Sequence, residues 1–338
     1  MKALLIGGTS QISMAVTRKL LKDGWEVCLL NRGNRTVEPE KNLHFIQADI
    51  NDEDAVRKAI DGQYFDCVCE WIGYKTEHME RDYRLFRDHT DQYLFTSSAA
   101  VYQRPPTDYR ITEGMGLANP YSPYAQNKLA CEQFLMDKYR REGFPVTIIR
   151  PSHTYDERHL PFAVRGKKGF WQIIKRMMEE KPVITHGDGT SLWTLTFNED
   201  FAVGYTGLMG CRRAVGEAFH ITSDEVLTWN QIYETIAQAL HVPLHPVHVS
   251  SDLLAATDPM FDFTGALLGD KSYSSVFDNS KLKQIVPQMT TTVPFHKGVR
   301  IALDYILSHP ECQIEDPEFD AYCDRIIAAI ESLKNSLA

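Results

Sequence analysis

Several features that would place this chain of 338 residues in a large class of proteins are missing from it. It has no excess of basic residues, since its formal net charge is −9 at pH 7, which argues against a surface built to neutralise nucleic-acid phosphates. No apolar run approaches the ~20 residues that a membrane-spanning helix needs. There is also no internal repeat and no low-complexity tract. We therefore expect a globular protein with a small-molecule substrate, and neither nucleic acid nor membrane as a partner.

The seven cysteines include no CxxC pair of the kind that binds zinc or carries redox chemistry. Several lie inside apolar strand-like runs, so we expect buried, reduced thiols and a reducing compartment. The stretch HPVHV (245–249) has no carboxylate or cysteine to complete a metal site, which predicts a strand with exposed histidines and no metal. Because the sequence starts directly in a strand pattern, without a charged leader or signal segment, we expect a cytoplasmic protein.

Short apolar runs alternate with amphipathic segments of helical length through the first 150 residues. Such alternation is typical of right-handed βαβ units and a parallel sheet covered on both faces. A helix marked by Ile12, Val16 and Leu20 should stop at Gly24, and Asn51 or Asp52 should cap a helix that runs through Ile60. The predicted strands are Ala3–Ile6, Val27–Leu30, Leu43–Ile46, Cys67–Ile72, Tyr93–Thr96 and Val146–Ile149.

After Arg150 the alternation gives way to proline-rich loops and short helices, closing with a helix near Ala321–Leu337. The sequence therefore predicts an α/β fold: a Rossmann-type doubly wound parallel sheet with a smaller C-terminal substrate-binding lobe. We assign residues 1–160 and about 183–235 to the dinucleotide-binding domain, and about 161–182 and 236–338 to the lobe. In sheets of this type cofactors bind at the carboxyl ends of the strands.

The first strand leads into IGGTSQIS, a turn of the kind that holds dinucleotide phosphates at a helix N-terminus. Only Gly7 and Gly8 are glycines there, and Ser10 and Ser13 stand where further glycines are usual. Serine adds little bulk, and its hydroxyl can hydrogen-bond a phosphate or a free helix N–H. We expect a working phosphate site, the alternative being a degenerate loop that binds nothing.

Tyr124 and Lys128 lie four residues apart at the start of a helix-favouring segment, so their side chains share one face. A lysine beside a phenol favours the phenolate, and a bound nicotinamide would lower the pKa of Tyr124 further. Tyr124 is thus a candidate general acid and base near neutral pH. The spacing alone also fits an ordinary surface pair, but the upstream strand end FTSSAAVY and the glycine loop favour an active site.

Together GGTSQIS, SSAAVY, SPYAQNK and RPS resemble the motifs of the NAD-dependent epimerase/dehydratase family, among the extended, atypical short-chain dehydrogenases/reductases. The resemblance runs from Lys2 to about Asn230. It implies that Ser98 binds the substrate oxygen, that Tyr124 is the acid/base, and that Lys128 binds the nicotinamide ribose and lowers the pKa of Tyr124. The cofactor-binding residues that it implies are Gly7, Gly8, Thr9, Ser10, Gln11, Ile12, Asn31, Arg32, Asp49, Ile50, Trp71, Ile72, Gly73, Lys128, Pro151, Ser152 and His153.

The implied cofactor is NAD or NADP. The end of the second strand, LLNRGNR, has no acidic residue to accept hydrogen bonds from an NAD ribose. Arg32, with Arg35 close by, is suited to a 2′-phosphate, which favours NADP. The alternative is that Arg32 stacks on the adenine and serves either cofactor.

Departures from the family pattern bear on the substrate. Ala99 and Ala100 stand where family dehydratases often carry an Asp-Glu pair, so sugar dehydration is disfavoured. Trp193 stands where nucleotide-sugar members often carry an arginine for the diphosphate. Polar and aromatic residues expected at the pocket lip suit a hydroxyl-rich or ring-shaped substrate, unless they are solvated loop residues. The candidates for substrate contact are Lys75, Ser98, Tyr124, His153, Tyr155 and Trp193, with His186 as a further lip residue.

We therefore expect an NAD(P)-dependent oxidoreductase or epimerase that transfers hydride at a carbinol or carbonyl carbon of a sugar-like or other polyhydroxylated small molecule. The alternative is a regulatory or RNA-binding protein on the same fold without full catalytic activity, which the intact trio and the acidic charge disfavour. The resemblance also implies a homodimer through the helix that carries Tyr124. Phe86, Phe134 and Leu135 would either form that interface or face the sheet.

Overall fold

The computed structural model describes residues 1–35, 37–257 and 260–338. In this part of the chain the strands are β1 (Lys2–Ile6), β2 (Glu26–Asn31), β3 (Leu43–Gln47), β4 (Cys67–Glu70), β5 (Tyr93–Thr96), β6 (Arg110–Ile111), β7 (Val146–Pro151), β8 (His153–Tyr155), β9 (Val183–His186), β10 (Leu192–Trp193), β11 (Leu195–Phe197), β12 (Ala218–Ile221), β13 (Leu227–Thr228), β14 (Pro246–Val249) and β15 (Val276–Phe277). The α-helices are α1 (Gln11–Lys22), α2 (Glu53–Ile60), α3 (Thr76–Phe86), α4 (Pro123–Glu142), α5 (Trp171–Met178), α6 (Asn198–Leu208), α7 (Trp229–Leu240), α8 (Ser251–Thr257), α9 (Ser280–Lys283), α10 (Phe295–Ser308) and α11 (Pro317–Leu337).

Seven of these strands form one parallel sheet in the order β12-β7-β5-β4-β1-β2-β3. The chain moves outward from β1 to β3 and then returns to β4 on the other side of β1, which makes the sheet doubly wound as predicted. The sheet contains all six predicted strands. It gains β12, which the sequence reading missed. Ligands of such sheets bind where the strand order reverses, here between the carboxyl ends of β1 and β4.

The two faces of the sheet carry separate cores. Alternate residues of β1 divide between them: Ala3 and Leu5 pack with α1 and α6, while Leu4 and Ile6 pack with α2, α3 and α4. Phe86 and Leu135 are fully buried in the second of these cores. They therefore face the sheet and do not support the predicted homodimer interface.

A third core joins α5, α7, α10 and α11, with Trp229, Val299 and Tyr322 among its buried residues. Segment 183–235, predicted to belong to the first domain, contributes to two cores. Its residue Tyr205 packs under the sheet, whereas Trp193 and Trp229 pack in the third core. The predicted boundary between domain and lobe stays a prediction.

Local signals account for the ends of the elements that frame the site. Asp52 caps α2 by accepting a hydrogen bond from the Ala55 N–H at 3.0 Å, and Gly24 follows α1 with a φ of +82°. Ser122 caps α4 through the Ala125 N–H. The strand predicted over 67–72 ends at Glu70 because the Glu70 carboxylate binds the next free amides, those of Ile72 and Gly73, and turns the chain.

None of the helices within the described ranges combines the length and apolarity that a membrane crossing requires. The same residues contain no group of three or more His, Cys, Asp or Glu side chains placed to hold a metal ion. All seven cysteines are free thiols, five of them buried. Pro246–Val249 is a strand, with His245 and His248 exposed, as predicted.

Candidate active site

The glycine loop lies between β1 and α1. Gly7 and Gly8 both have positive φ, +98° and +50°, which side chains rarely tolerate. A Cβ on Gly7 would lie 2.8 Å from Ile72 Cγ2, and one on Gly8 would lie 2.5 Å from Leu29 Cδ2. The two glycines therefore allow the loop to pass close to β2 and to the turn after β4.

Ser10 and Ser13 complete the loop without glycine. The Ser13 hydroxyl accepts a hydrogen bond from the Ser10 N–H at 2.9 Å, and the two hydroxyls lie 3.0 Å apart. Thr17 adds a hydrogen bond from its hydroxyl to the Gly8 carbonyl at 3.1 Å. Ser13 is fully buried, so its hydroxyl satisfies the helix start and is not available to a ligand, whereas Ser10 is exposed.

A cavity of about 630 Å³ opens at the carboxyl ends of β1, β2 and β4. Eight of the predicted cofactor residues line it: Gly7, Thr9, Ser10, Asn31, Arg32, Asp49, Ile50 and Ile72. The remaining wall comes from Leu30, Asn34, Arg35, Ala48, Asn51, Tyr74, His78 and Arg81. The structure thus brings predicted residues from four separate segments of the sequence to one cavity.

Other predicted cofactor residues lie behind or beside this cavity. Gly8 is buried under the loop, and Ile12 packs on the core of α1 and α6. The Trp71 ring stacks on Tyr205 with a centroid distance of 4.5 Å and faces the core. Gln11 donates a hydrogen bond to Asp156 at 3.1 Å. Trp71 and Ile12 are therefore placed to support the cavity rather than to line it.

The segment at the end of β7 and after it contains the last predicted cofactor residues. Pro151 ends the strand and is buried, and the Ser152 hydroxyl donates to the Thr194 carbonyl at 3.3 Å. His153 begins β8 and lines a second cavity of about 160 Å³, together with Gln11, Tyr155 and Arg165. This second cavity adjoins the glycine loop through Gln11.

The end of β2 is polar and cationic. The Asn31 side-chain carbonyl accepts a hydrogen bond from the Gly33 N–H at 2.9 Å, while its Nδ2 is buried without a hydrogen-bond partner. Arg35 donates to the Thr9 carbonyl at 2.8 Å, which draws its guanidinium over the glycine loop. Arg32 is exposed at the cavity wall.

These features fit a dinucleotide. The unpaired Nδ2 of Asn31 is a buried donor at the cavity wall that a ligand oxygen would satisfy. The first turn of α1 carries no acidic residue that would repel an anion at this helix N-terminus. Arg32 and Arg35 add two cationic side chains at the same wall.

Ser98, Tyr124 and Lys128 meet at the carboxyl end of β5. Ser98 lies two residues beyond β5, where its hydroxyl accepts the Ala100 N–H at 3.1 Å, and it hydrogen-bonds the Tyr124 phenol. Lys128 is buried beneath, with its Nζ 5.9 Å from the centre of the Tyr124 ring. The ammonium donates to the carbonyls of Gly73 at 2.8 Å and Thr96 at 2.6 Å. Tyr124 and Lys128, predicted from their spacing, and Ser98, which the resemblance implies, therefore lie together in the structure.

The expected lowering of the Tyr124 pKa is not found in the protein alone. Desolvation raises the pKa of Tyr124, the hydrogen bond with Ser98 partly offsets this, and the charge of Asp270 adds to the rise. Lys128 does not supply the offset because two of its protons point to backbone carbonyls. The phenol is thus held in its neutral form.

Burial also acts on the lysine. It lowers the pKa of Lys128 to about 8, while the negative charge of Glu70 acts in the opposite direction. Lys128 is therefore only partly protonated in mildly alkaline solution.

Several predicted substrate residues are not at a pocket lip. Tyr155 is 1% exposed, packed between Phe197 and Phe295, so it forms only a buried part of the second cavity's wall. Trp193 is 2% exposed and lies against Trp229 with a centroid distance of 5.9 Å. Neither side chain lies at the pocket lip, because packing of their rings in the third core outweighs the preference of their polar atoms for solvent.

The three remaining candidates differ from one another. His186 is buried, and its Nε2 donates to the Lys271 carbonyl at 3.0 Å, so it is not a lip residue either. Lys75 is exposed at the start of α3. His153 is half-buried, and burial, Lys271 and Arg165 lower its pKa to about 3, so it stays neutral.

Sequence reasoning missed Asp270 and Lys271, which end a π-helix over Thr264–Lys271. Asn119 joins this helix to the loop that carries Ser98, because its Nδ2 donates to the carbonyls of Gly269 and Ala100, each at 2.7 Å. Lys271 pairs with Asp270 at 2.9 Å, and its Nζ lies 5.8 Å from the Trp193 ring. No local motif marks this pair, since only the tertiary fold brings residue 270 to Tyr124.

A model of the NAD dependent epimerase/dehydratase family matches residues 3–221. The chloroplast stem-loop binding protein of 41 kDa b from Arabidopsis thaliana is 25% identical over 252 residues, covering 70% of this chain but only 63% of that protein. The 2′-dehydrokanamycin reductase of Streptomyces kanamyceticus is 22% identical over 287 residues, covering 85% and 79%.

Among solved structures, UDP-glucuronic acid 4-epimerase from Bacillus cereus in complex with NAD superposes with a TM-score of 0.71 at 20% identity. The match covers 91% of this chain and 99% of the epimerase. At this level of identity the likeness establishes the fold.

Proposed function

Because the chain belongs to the NAD-dependent epimerase/dehydratase family, we propose that it binds a nicotinamide dinucleotide at the glycine loop and acts on a carbinol or carbonyl carbon of a polyhydroxylated small molecule. The observation that carries the proposal is the meeting of Ser98, Tyr124 and Lys128 beside the 630 Å³ cavity. In this proposal the dinucleotide, when bound, supplies or accepts the hydride.

The roles of the trio follow from their positions. Tyr124 takes the hydroxyl proton of an alcohol substrate, or returns it to a carbonyl oxygen. Ser98 already hydrogen-bonds the phenol, so its hydroxyl is placed to hold the same substrate oxygen. Lys128 lies below the ring and would favour the phenolate once a ribose hydroxyl or the substrate draws it away from a backbone carbonyl.

We assign the substrate side to His153, Asp270 and Lys271. His153 is neutral and offers a hydrogen bond, and the Asp270–Lys271 pair offers an acceptor and a donor for hydroxyl groups. Trp193 gives no support to a diphosphate handle, because it is buried. The proposed class is therefore a sugar-like molecule recognised through its hydroxyl groups.

The first experiment identifies the cofactor. Mass spectrometry of the gently purified protein reports any dinucleotide that accompanies it, and fluorescence titrations compare NADH with NADPH. We propose a preference for NADPH, supported by Arg32 and by Asn31 in place of an acidic residue at the end of β2. Arg32→Ala should then weaken NADPH more than NADH, whereas an equal loss for both would indicate that Arg32 stacks on the adenine.

The second experiment separates the reaction types. The protein is incubated with its dinucleotide and a panel of free sugars, sugar acids and UDP-sugars, with product analysis and absorbance at the reduced-nicotinamide band. Lasting absorbance change indicates net oxidation or reduction, and product without such a change indicates an epimerase. Tyr124→Phe should lower turnover by about a hundredfold or more while leaving NADH binding near the wild-type value. Unchanged turnover in Tyr124→Phe would refute the enzyme and favour a binding or regulatory role.

A further inference from the structure

Glu70 is a buried carboxylate at the end of β4 for which the proposed chemistry has no use. It is fully buried, and its Oε1 accepts hydrogen bonds from two successive backbone amides, those of Ile72 and Gly73, each at 2.5 Å. The same side chain therefore fixes the turn that closes one wall of the dinucleotide cavity.

Lys128 holds this turn from the other side. Its Nζ donates to the Gly73 carbonyl at 2.8 Å, one peptide unit beyond the amides that Glu70 binds. Three successive peptide units thus lie between a buried carboxylate and a buried ammonium. Any shift of the Glu70 carboxyl moves the acceptor of Lys128.

The turn leaves no free space for adjustment. A Cβ on Gly73 would lie 2.4 Å from Met79 Cε and 3.1 Å from Glu70 Cγ, so only glycine allows the carboxyl to approach. The neighbouring Ile72 side chain covers Gly7 and lines the cavity. The position of Glu70 is therefore transmitted both to Lys128 and to the glycine loop.

The second carboxyl oxygen of Glu70 is incompletely satisfied. Glu70 Oε2 has no hydrogen-bond partner and lies 3.7 Å from Arg81 Nη2. Arg81 is itself bound to Asp82 and Asn51, each at 2.8 Å, and lines the cavity. The carboxylate is thus tied firmly on the side of the turn and weakly on the side of α3.

We propose that Glu70 is a positioning residue for the active site, which holds the 71–74 turn so that Lys128 and the glycine loop keep the geometry for the dinucleotide. Its action on cofactor binding rests on the proposed function, whereas its action on Lys128 does not. Glu70 makes no contact with the reacting atoms in this role.

The charge of Glu70 gives the role a distinct signature. Lys128 is faced by Glu70 from β4, by Tyr124, Cys131 and Glu132 from its own helix, and by the Phe95 ring at 4.7 Å from β5. Burial lowers the pKa of Lys128 to about 8, and Glu70 opposes that effect most among the charged groups. Burial and the neighbouring Asp82 raise the pKa of Glu70 itself well above its usual value, whereas Arg81 and the Ile72 amide favour its charged form. Glu70→Gln should therefore lower the pKa of Lys128 to the extent that Glu70 is ionised in the wild type.

The test compares Glu70→Gln with a matched control. Asp200 is also a buried carboxylate that binds two successive amides, those of Thr292 and Val293, each at 3.0 Å, but it is not among the residues lining either cavity of the site. Asp200→Asn therefore removes an equivalent carboxylate, one that holds two backbone amides outside the site. The first readout is the NMR titration of the Lys128 side chain in the whole protein, assigned by its loss in Lys128→Met. The second is the affinity for NADH.

We expect Lys128 to titrate at lower pH in Glu70→Gln, and NADH to bind about five- to tenfold more weakly. Asp200→Asn should lower the unfolding temperature but change neither readout. Should Glu70→Gln not fold, Glu70→Asp keeps the charge on a shorter side chain and should weaken NADH without a comparable fall in the Lys128 titration. A Glu70→Gln variant in which both the chemical shift and the titration of the Lys128 side chain are unchanged, or equal changes in Asp200→Asn, would overturn the proposal. Absence of binding of both NADH and NADPH in the wild type would refute the proposed function and leave the Lys128 readout decisive.

Discussion

Replacement of Lys128 by methionine should make the stability of the protein depend on pH in a new way. The ammonium is 4% exposed, and burial lowers its pKa from 10.5 to about 8. Below about pH 8 the lysine is charged in both the folded and the unfolded chain, so the folded state bears the desolvation cost. Above about pH 10.5 it is neutral in both, and the cost is gone. The wild type should therefore gain stability relative to Lys128→Met as the pH rises between these values.

The size of this gain follows from the difference between the two pKa values of Lys128, and is about 3 kcal/mol. Lys128→Met also leaves the carbonyls of Gly73 and Thr96 without their donor, a cost of ~1–3 kcal/mol each that is the same at every pH. Only the pH-dependent part is therefore diagnostic of the buried charge.

The assay is urea unfolding of the wild type and Lys128→Met at about pH 7 and about pH 10.5, with linear extrapolation to water. The exposed Lys297 provides the control, since Lys297→Met should give the same difference from wild type at both pH values. A difference between wild type and Lys128→Met that stays constant, or that moves against the wild type at high pH, would refute the buried, destabilised ammonium.

Three further substitutions test the glycine loop and the third core. Gly8→Ala should destabilise the fold by about 2 kcal/mol and weaken NADH binding, because its Cβ would lie 2.5 Å from Leu29 Cδ2 at a φ of +50°. Gly24→Ala, with a φ of +82° and open space around it, should cost only ~1 kcal/mol in thermal unfolding and leave NADH binding intact. Trp193→Arg should lower stability by about 3 kcal/mol, because it buries an unpaired guanidinium against Trp229, and should not create affinity for UDP-glucose. Calorimetric binding of UDP-glucose by that variant would contradict this placement.

Local patterns were sufficient for the sheet and for the parts of the site that a single segment carries. The strands of the first 150 residues have the short apolar runs of a parallel sheet. The four-residue spacing of Tyr124 and Lys128 predicts that their side chains lie on one face of a helix. Strand β12 was not predicted because its sequence, AFHI, is short. Its histidine is buried only through tertiary contacts with Tyr102 and the Asp278 carbonyl.

What the sequence could not supply was the direction of side chains whose partners are distant in the chain. Tyr155 and Trp193 carry polar atoms suited to a substrate, yet both are packed inside the core. Glu70 read as one more residue of a buried strand, although its carboxylate ends that strand. In the protein without nicotinamide the pKa of Tyr124 is raised rather than lowered, because desolvation, which spacing does not encode, exceeds the opposing hydrogen bond with Ser98.

Under the proposed function, the π-helix over Thr264–Lys271 would offer a simple evolutionary route to a different substrate. Such wide turns hold one more residue than an α-helical path over the same contacts, and they are frequent at functional sites. Deleting a single residue from the segment would return it toward the α-helical ladder and rotate whatever follows by about 100°. Asp270 would then face away from Tyr124 with its own identity unchanged. Under the proposed function, specificity on this side of the site would therefore depend on the length of one short segment as much as on its residues.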